Sequence, residues 1–153
     1  MIRKASYVCI IALPVALIGI FTLHYRLPIG PIILSLPLIP ILGLFLAKRT
    51  LVGAVPDILF GVIDTGLLTI TALSGGIFFG VAGAIAGGVV GDALTDAVAG
   101  FFEGGIAEWL RGKGIEESRE AVTTALGKMS GCLLGSGLVL TIALFLGIKP
   151  DFG

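Results

Sequence analysis

With 153 residues, 56% of them hydrophobic and only 13% charged, and a mean hydropathy of +1.11, the chain lies far outside the range of water-soluble globular domains. Ten Lys and Arg balance ten Asp and Glu, so the net charge is zero, but the bases fall in short connecting stretches while half the acids fall inside or at the edges of apolar runs. No basic face exists to follow a phosphate backbone, which excludes nucleic acid as a partner; the partner this composition demands is the lipid bilayer.

The expected fold is an all-α, polytopic membrane bundle of five spans. Arg3 and Lys4 precede an apolar run from Tyr7 to Leu23, and the exit through His24, Tyr25 and Arg26 offers no small-residue cleavage site, so this run reads as a signal anchor and first span. Residues 29–47 make a second span. Pro31, Pro37 and Pro40 predict a kink or an unwound turn near Ser35–Pro40, because each removes a backbone donor and crowds the preceding turn. Residues 1–50 thus hold two N-terminal spans, and 51–153 a three-span core with an interfacial helix between its second and third spans.

In that core a third span is expected over 53–73, with Pro56 in its first turn. Ser74, Gly75 and Gly76 suggest a tight hairpin into a fourth span over 77–102. Gly83, Gly87 and Gly91 recur every four residues, as do Gly127, Gly131 and Gly135. Small residues at that period let helix backbones approach closely in lipid, so the fourth and fifth spans are expected to cross each other, or each to cross a symmetry mate. Between them, Ile106, Trp109 and Leu110 oppose Glu108 and Arg111, the pattern of a short interfacial helix anchored by Trp109 and broken at Gly112 and Gly114. Glu116, Glu117 and Glu120 then open a helix that runs through Lys128 to about Gly147. Arg3, Lys4, Lys48, Arg49, Arg111, Lys113, Arg119 and Lys128 fall on the side of the N-terminus and Arg26 and Lys149 on the other, which predicts a multi-pass cell-membrane protein with a cytoplasmic N-terminus.

The stretch from Gly83 to Gly104 draws the eye because it is apolar yet carries Asp92, Asp96 and Glu103 at four- and seven-residue separations, which share a helix face. Asp57 and Asp64, seven apart, share a face of the preceding span. An ionised Asp at mid-membrane costs roughly 2.5–3.5 kcal/mol, and Lys128 is the one plausible basic partner, so either protons or bound cations must compensate. Asp64, Asp92 and Asp96, with hydroxyls from Thr65, Thr69 and Thr95 nearby, supply the hard oxygen ligands that calcium, magnesium and sodium prefer. Asp57 and Glu103 read better as interfacial residues facing headgroups and water.

Catalytic readings fail on residue type. Val89 stands where the Gly-x-Gly-Asp pattern of an intramembrane aspartyl protease needs a glycine, and Pro-Ala-Leu is absent. A phosphatidyltransferase needs a denser Asp array with an Arg beside it. The single His24 lies far from any Ser or Cys at useful depth. The chain is therefore not expected to be an enzyme or to carry a cofactor. Cys9 and Cys132 read as small, inert, buried residues without a disulfide.

Phe60, Gly61 and Asp64, then Gly91, Thr95 and Asp96 followed by Gly100 and Gly104, then Gly127, Lys128, Gly131, Cys132 and Gly135 resemble the three-span core of the transmembrane protein 65 family over about 56–147. That family has Asp-Asn in its first helix, Gly-Asn-x-x-Ser-Asp in its second and Gly-Lys opening its third. Its members sit in the mitochondrial inner membrane and are associated with sodium-dependent calcium efflux, so the resemblance implies cation exchange. Asp64, Thr95, Asp96 and Lys128 carry over, whereas Thr65 and Asp92 stand where the family has Asn. The expectation is a homodimeric antiporter moving calcium against sodium or protons, with Asp57, Glu103 and Lys128 as accessory residues. A cation channel and a membrane scaffold that transports nothing remain the alternatives.

Overall fold

A computed structural model describes residues 2–114 and 120–148. Every regular element among the described residues is a helix: α1 (Ile2–His24), α2 (Ile29–Ser35), α3 (Leu38–Leu46), α4 (Leu51–Gly112) and α5 (Ala121–Phe145). Four stretches are long and apolar enough to cross a membrane: α1, α2 and α3 taken together as Ile29–Leu46, α4 and α5. The expected proline break is there. The helix stops at Ser35 and restarts at Leu38, on either side of Leu36 and Pro37.

The 62 residues of α4 would extend about 93 Å as one straight rod, some three times a hydrocarbon core. They form instead a hairpin of two arms, 51–79 and 81–112. Gly80 makes the reversal at φ 64° and ψ −150°, a backbone region open in practice to glycine alone. Beyond it the arms run antiparallel, with Gly75 against Gly83 and Thr71 against Gly87 and Gly91. The turn therefore lies at Gly80 rather than at Ser74–Gly76, which stay helical. The second arm also continues without a break through the segment expected to be a separate interfacial helix. It ends at Gly112, and Gly114 takes φ 71°. Ala107 and Leu110 face inward there while Trp109 is exposed.

Helix α5 is the hub and touches each of the other four. Its glycines explain how. A side-chain carbon on Gly131 would strike the Ile58 carbonyl, one on Gly135 the Val62 carbonyl, and one on Gly127 would lie 2.8 Å from Cβ of Asp57. From the other side, a Cβ on Gly61 would sit 2.6 Å from the Lys128 carbonyl oxygen and the Cys132 nitrogen. Higher up, Gly137 meets Leu34 and Gly30 meets Leu140 and Thr141, which seats α2 on α5. Both glycine ridges thus close on the first arm of α4, one from each side, and not on each other. The first arm is the element sandwiched between them.

At the end shared by the N-terminus, Leu44, Ala54, Val122 and Leu126 form a small core with Tyr7, Ile11 and Met129 around it. Glu120 caps this end. Its carboxylate accepts from Arg49 Nη1 at 2.9 Å, from Arg49 Nη2, and from Lys4 Nζ at 3.2 Å, which ties α1, the α3–α4 link and the start of α5 together. The hydrogen bond from Lys4 first, and then the charges of Arg49 and Lys4, together outweigh desolvation and hold the Glu120 carboxyl below the ordinary glutamate range. Glu116, Glu117, Arg119 and Lys149, which entered the reading of helix start and topology, lie outside the described residues.

Candidate functional site

The reversal at Gly80 decides which residues meet. Asp64 lies sixteen residues before it and Thr95 fifteen after it, so antiparallel arms bring them to the same height, on the order of 22–24 Å from the bend at 1.5 Å per residue. Both face the seam between the arms and are buried, Asp64 at 8% exposure and Thr95 at 4%. The Thr95 hydroxyl donates to Asp64 Oδ1 at 2.7 Å. The same hydroxyl lies 3.2 Å from the Asp92 carbonyl, the longer of its two contacts.

Asp92 and Asp96 are placed differently. They stand three residues before and one after Thr95, which rotates them about 60° and 100° from its inward direction, and both are exposed on the outer face of the second arm. Among the described residues, no three His, Cys, Asp or Glu side chains are grouped so as to hold a metal ion. The structure thus brings Asp64 and Thr95 together and leaves Asp92 and Asp96 facing outward, so one chain does not assemble the expected trio of carboxylate ligands.

Asp57 and Glu103 are not headgroup-facing residues. Asp57 is 6% exposed and packed against Gly127, and the side chain of Glu103 is 13% exposed with Oε2 3.5 Å from Lys128 Nζ. Lys128 also lies over the Phe60 ring, 3.7 Å from its centroid, a cation–π contact that holds the ammonium where the first arm meets α5. One helix pair therefore carries Asp57, Phe60 and Asp64 on the first arm with Lys128 on α5, and the second arm adds Glu103 and Thr95.

Thr65, one residue along from Asp64, turns to the other side of the first arm. There it reaches Cys132. Its carbonyl accepts from Thr69 Oγ1 at 2.6 Å, and Thr69 Oγ1 lies 3.0 Å from Ser136 Oγ. This hydroxyl and thiol cluster is separate from the Asp64 and Thr95 pair, so Thr65 and Thr95 do not act on one ion position. Ser136 was missed by the sequence reading, although its place beside Gly135 and Gly137 marks a closely approached helix face. Cys132 is half-buried as expected, whereas Cys9 lies exposed on α1; both are free thiols.

No family model matches the chain, and neither a curated protein nor a solved structure does.

Proposed function

We propose that this protein is a multi-pass membrane cation transporter that works through an intramembrane carboxylate, Asp64, as a homodimer or higher assembly of identical chains. The observation that carries the reading is the buried Asp64 to Thr95 bond, set midway along the two arms of an apolar hairpin. A carboxylate at that depth is costly unless a proton or cation shares it, and such groups in membrane proteins serve ion pathways. The topology taken here counts α1, α2 with α3, each arm of α4, and α5 as five spans, with the N-terminus cytoplasmic. The clustering of Lys4 and Arg49 at one end supports that orientation.

Asp92 and Asp96 supply the argument for assembly. On a lone chain they would face hydrocarbon beside Leu94 and Val98, at roughly 2.5–3.5 kcal/mol each; a second copy meeting that face would give them cations or donors to share. Lys128, held by Glu103 and Phe60, is the internal cation that would compete for the carboxylates when the ion leaves. Calcium as cargo, against sodium or protons, follows the family resemblance of the core motifs and the preference of hard cations for oxygen ligands. The outward position of Asp92 and Asp96 also favours a second reading, a cation channel lined by those acids between copies.

Calcium flux into proteoliposomes tests both. An exchanger takes up calcium only when sodium or protons are supplied on the other side, and Asp64→Asn lowers the rate at least tenfold. Uptake that ignores the counter-ion selects the channel. Wild-type flux in both Asp64→Asn and Asp96→Asn removes the carboxylate site from the pathway.

A further inference from the structure

At the end of the bundle opposite the Gly80 bend, a cavity of about 210 Å³ opens between the start of α1, the link from α3 to α4, and the first turn of α5. It is lined by Arg3, Lys4, Tyr7, Ala47, Arg49 and Val122. Three basic side chains converge on it from two segments distant in sequence, and Glu120 neutralises one charge, leaving an excess of two positive charges among these described residues. Lys48, beside Arg49 in this link, takes a positive φ of 56°.

Two further observations point to a ligand. Arg49 donates from both terminal nitrogens to Glu120, and Lys4 donates to it once. A guanidinium and an ammonium have further N–H donors beyond these, and an anion seated in the cavity is the group that would take them. Tyr7, Ala47 and Val122 complete the lining, and the Tyr7 hydroxyl is already committed to the Gly43 carbonyl at 2.7 Å. Basic side chains beside apolar ones match a phosphate that carries glycerol and acyl carbons behind it, and with α1 spanning the bilayer they lie at the depth where headgroups sit.

We infer that this cavity binds the phosphate of an anionic phospholipid headgroup, with Arg3, Lys4 and the Arg49 guanidinium as donors and the apolar lining residues taking the first carbons of the lipid. Glu120 is the positioning residue: it fixes Arg49 and Lys4 so that their remaining donors face the cavity. The inference is independent of cation transport, since it concerns the opposite end of the first arm from the bend and no residue of the Asp64 site.

Thermal unfolding of the purified full chain in mild detergent, titrated with phosphatidylglycerol, phosphatidylcholine or inorganic phosphate, tests it. Phosphatidylglycerol should raise the midpoint saturably and phosphatidylcholine should not. Arg3→Gln, which leaves both partners of Glu120 in place, should weaken the apparent affinity about five-fold, the equivalent of about 1 kcal/mol per basic residue. Arg26→Gln, at the other end of α1, should leave it unchanged. An equal shift from inorganic phosphate overturns the lipid source and assigns the site to a soluble phosphate. No shift with phosphatidylglycerol, the same affinity in Arg3→Gln, or an equal loss in Arg26→Gln overturns the site itself.

Discussion

The seam between the first arm of α4 and α5 and the outer face of the second arm are built from the same residue types, glycine, small aliphatics and aspartate, and the structure uses them in opposite ways. In the seam, Gly61, Gly131 and Gly135 bring backbone onto backbone, and Asp57 is shut inside against Gly127. On the outer face Gly88, Gly100, Gly104 and Gly105 have open space where a Cβ would go, and Asp92 and Asp96 are exposed among Val89, Leu94 and Val98. The difference teaches that glycine in this chain does two separate jobs. On inward faces it permits close packing, which supplies the attraction between helices in lipid; on the outer face of the second arm it has open space where a side chain would go.

The largest break in that comparison comes from filling the seam. Gly131→Leu drives a side chain into the Ile58 carbonyl and should cost about 3 kcal/mol or more, seen as loss of monodisperse protein on size exclusion. Gly100→Leu, on the open face, should stay within about 0.5 kcal/mol. Equal losses in the two would mean that the seam is not what holds the bundle.

Thr95→Val comes next, because it keeps the shape but withdraws the hydroxyl from a buried carboxylate. It should cost about 1–3 kcal/mol, measured by denaturant titration in detergent, while Asp92→Asn and Asp96→Asn leave the stability of the single chain unchanged. Gly80→Ala then probes the bend that sets the register of the two regions. With no crowding at its Cβ but a positive φ, its cost of about 1–3 kcal/mol is conformational alone.

The smallest effect concerns Glu120. Its pKa is lowered in the folded protein by Lys4 and Arg49, so its contribution is fully present above the ordinary glutamate value near 4.3 and is lost as pH falls through the lower folded value. Thermal midpoints of wild type and Glu120→Gln should therefore converge on acidification, and added salt should shrink the difference at neutral pH.

Much of this architecture is legible without coordinates. The apolar runs mark each helix, Pro37 marks the break between α2 and α3, and Gly112 with Gly114 ends the second arm, because proline and glycine act locally through backbone donors and φ. The bend is the instructive miss. Ser74, Gly75 and Gly76 look like a turn, but Gly75 is spent on close contact with Gly83, and the reversal falls to Gly80, one glycine between Phe79 and Val81. A shift of the bend along a hairpin moves the facing partner by roughly twice as much. With the bend at Gly75, Asp64 would meet Ala86; with it at Gly80, Asp64 meets Thr95. Helical periodicity put Asp92 and Asp96 on one face correctly, but not which way that face looks, since Thr95 between them is small enough to take the inward position.

The account rests on Asp64 binding a cation, and the most direct measurement is the thermal midpoint of the purified protein against rising calcium, and in parallel sodium, in wild type and Asp64→Asn. Wild type should gain stability in proportion to the logarithm of ligand concentration once the site fills, and Asp64→Asn should show no gain. A wild-type protein indifferent to both cations, or a variant that responds as the wild type does, would contradict it.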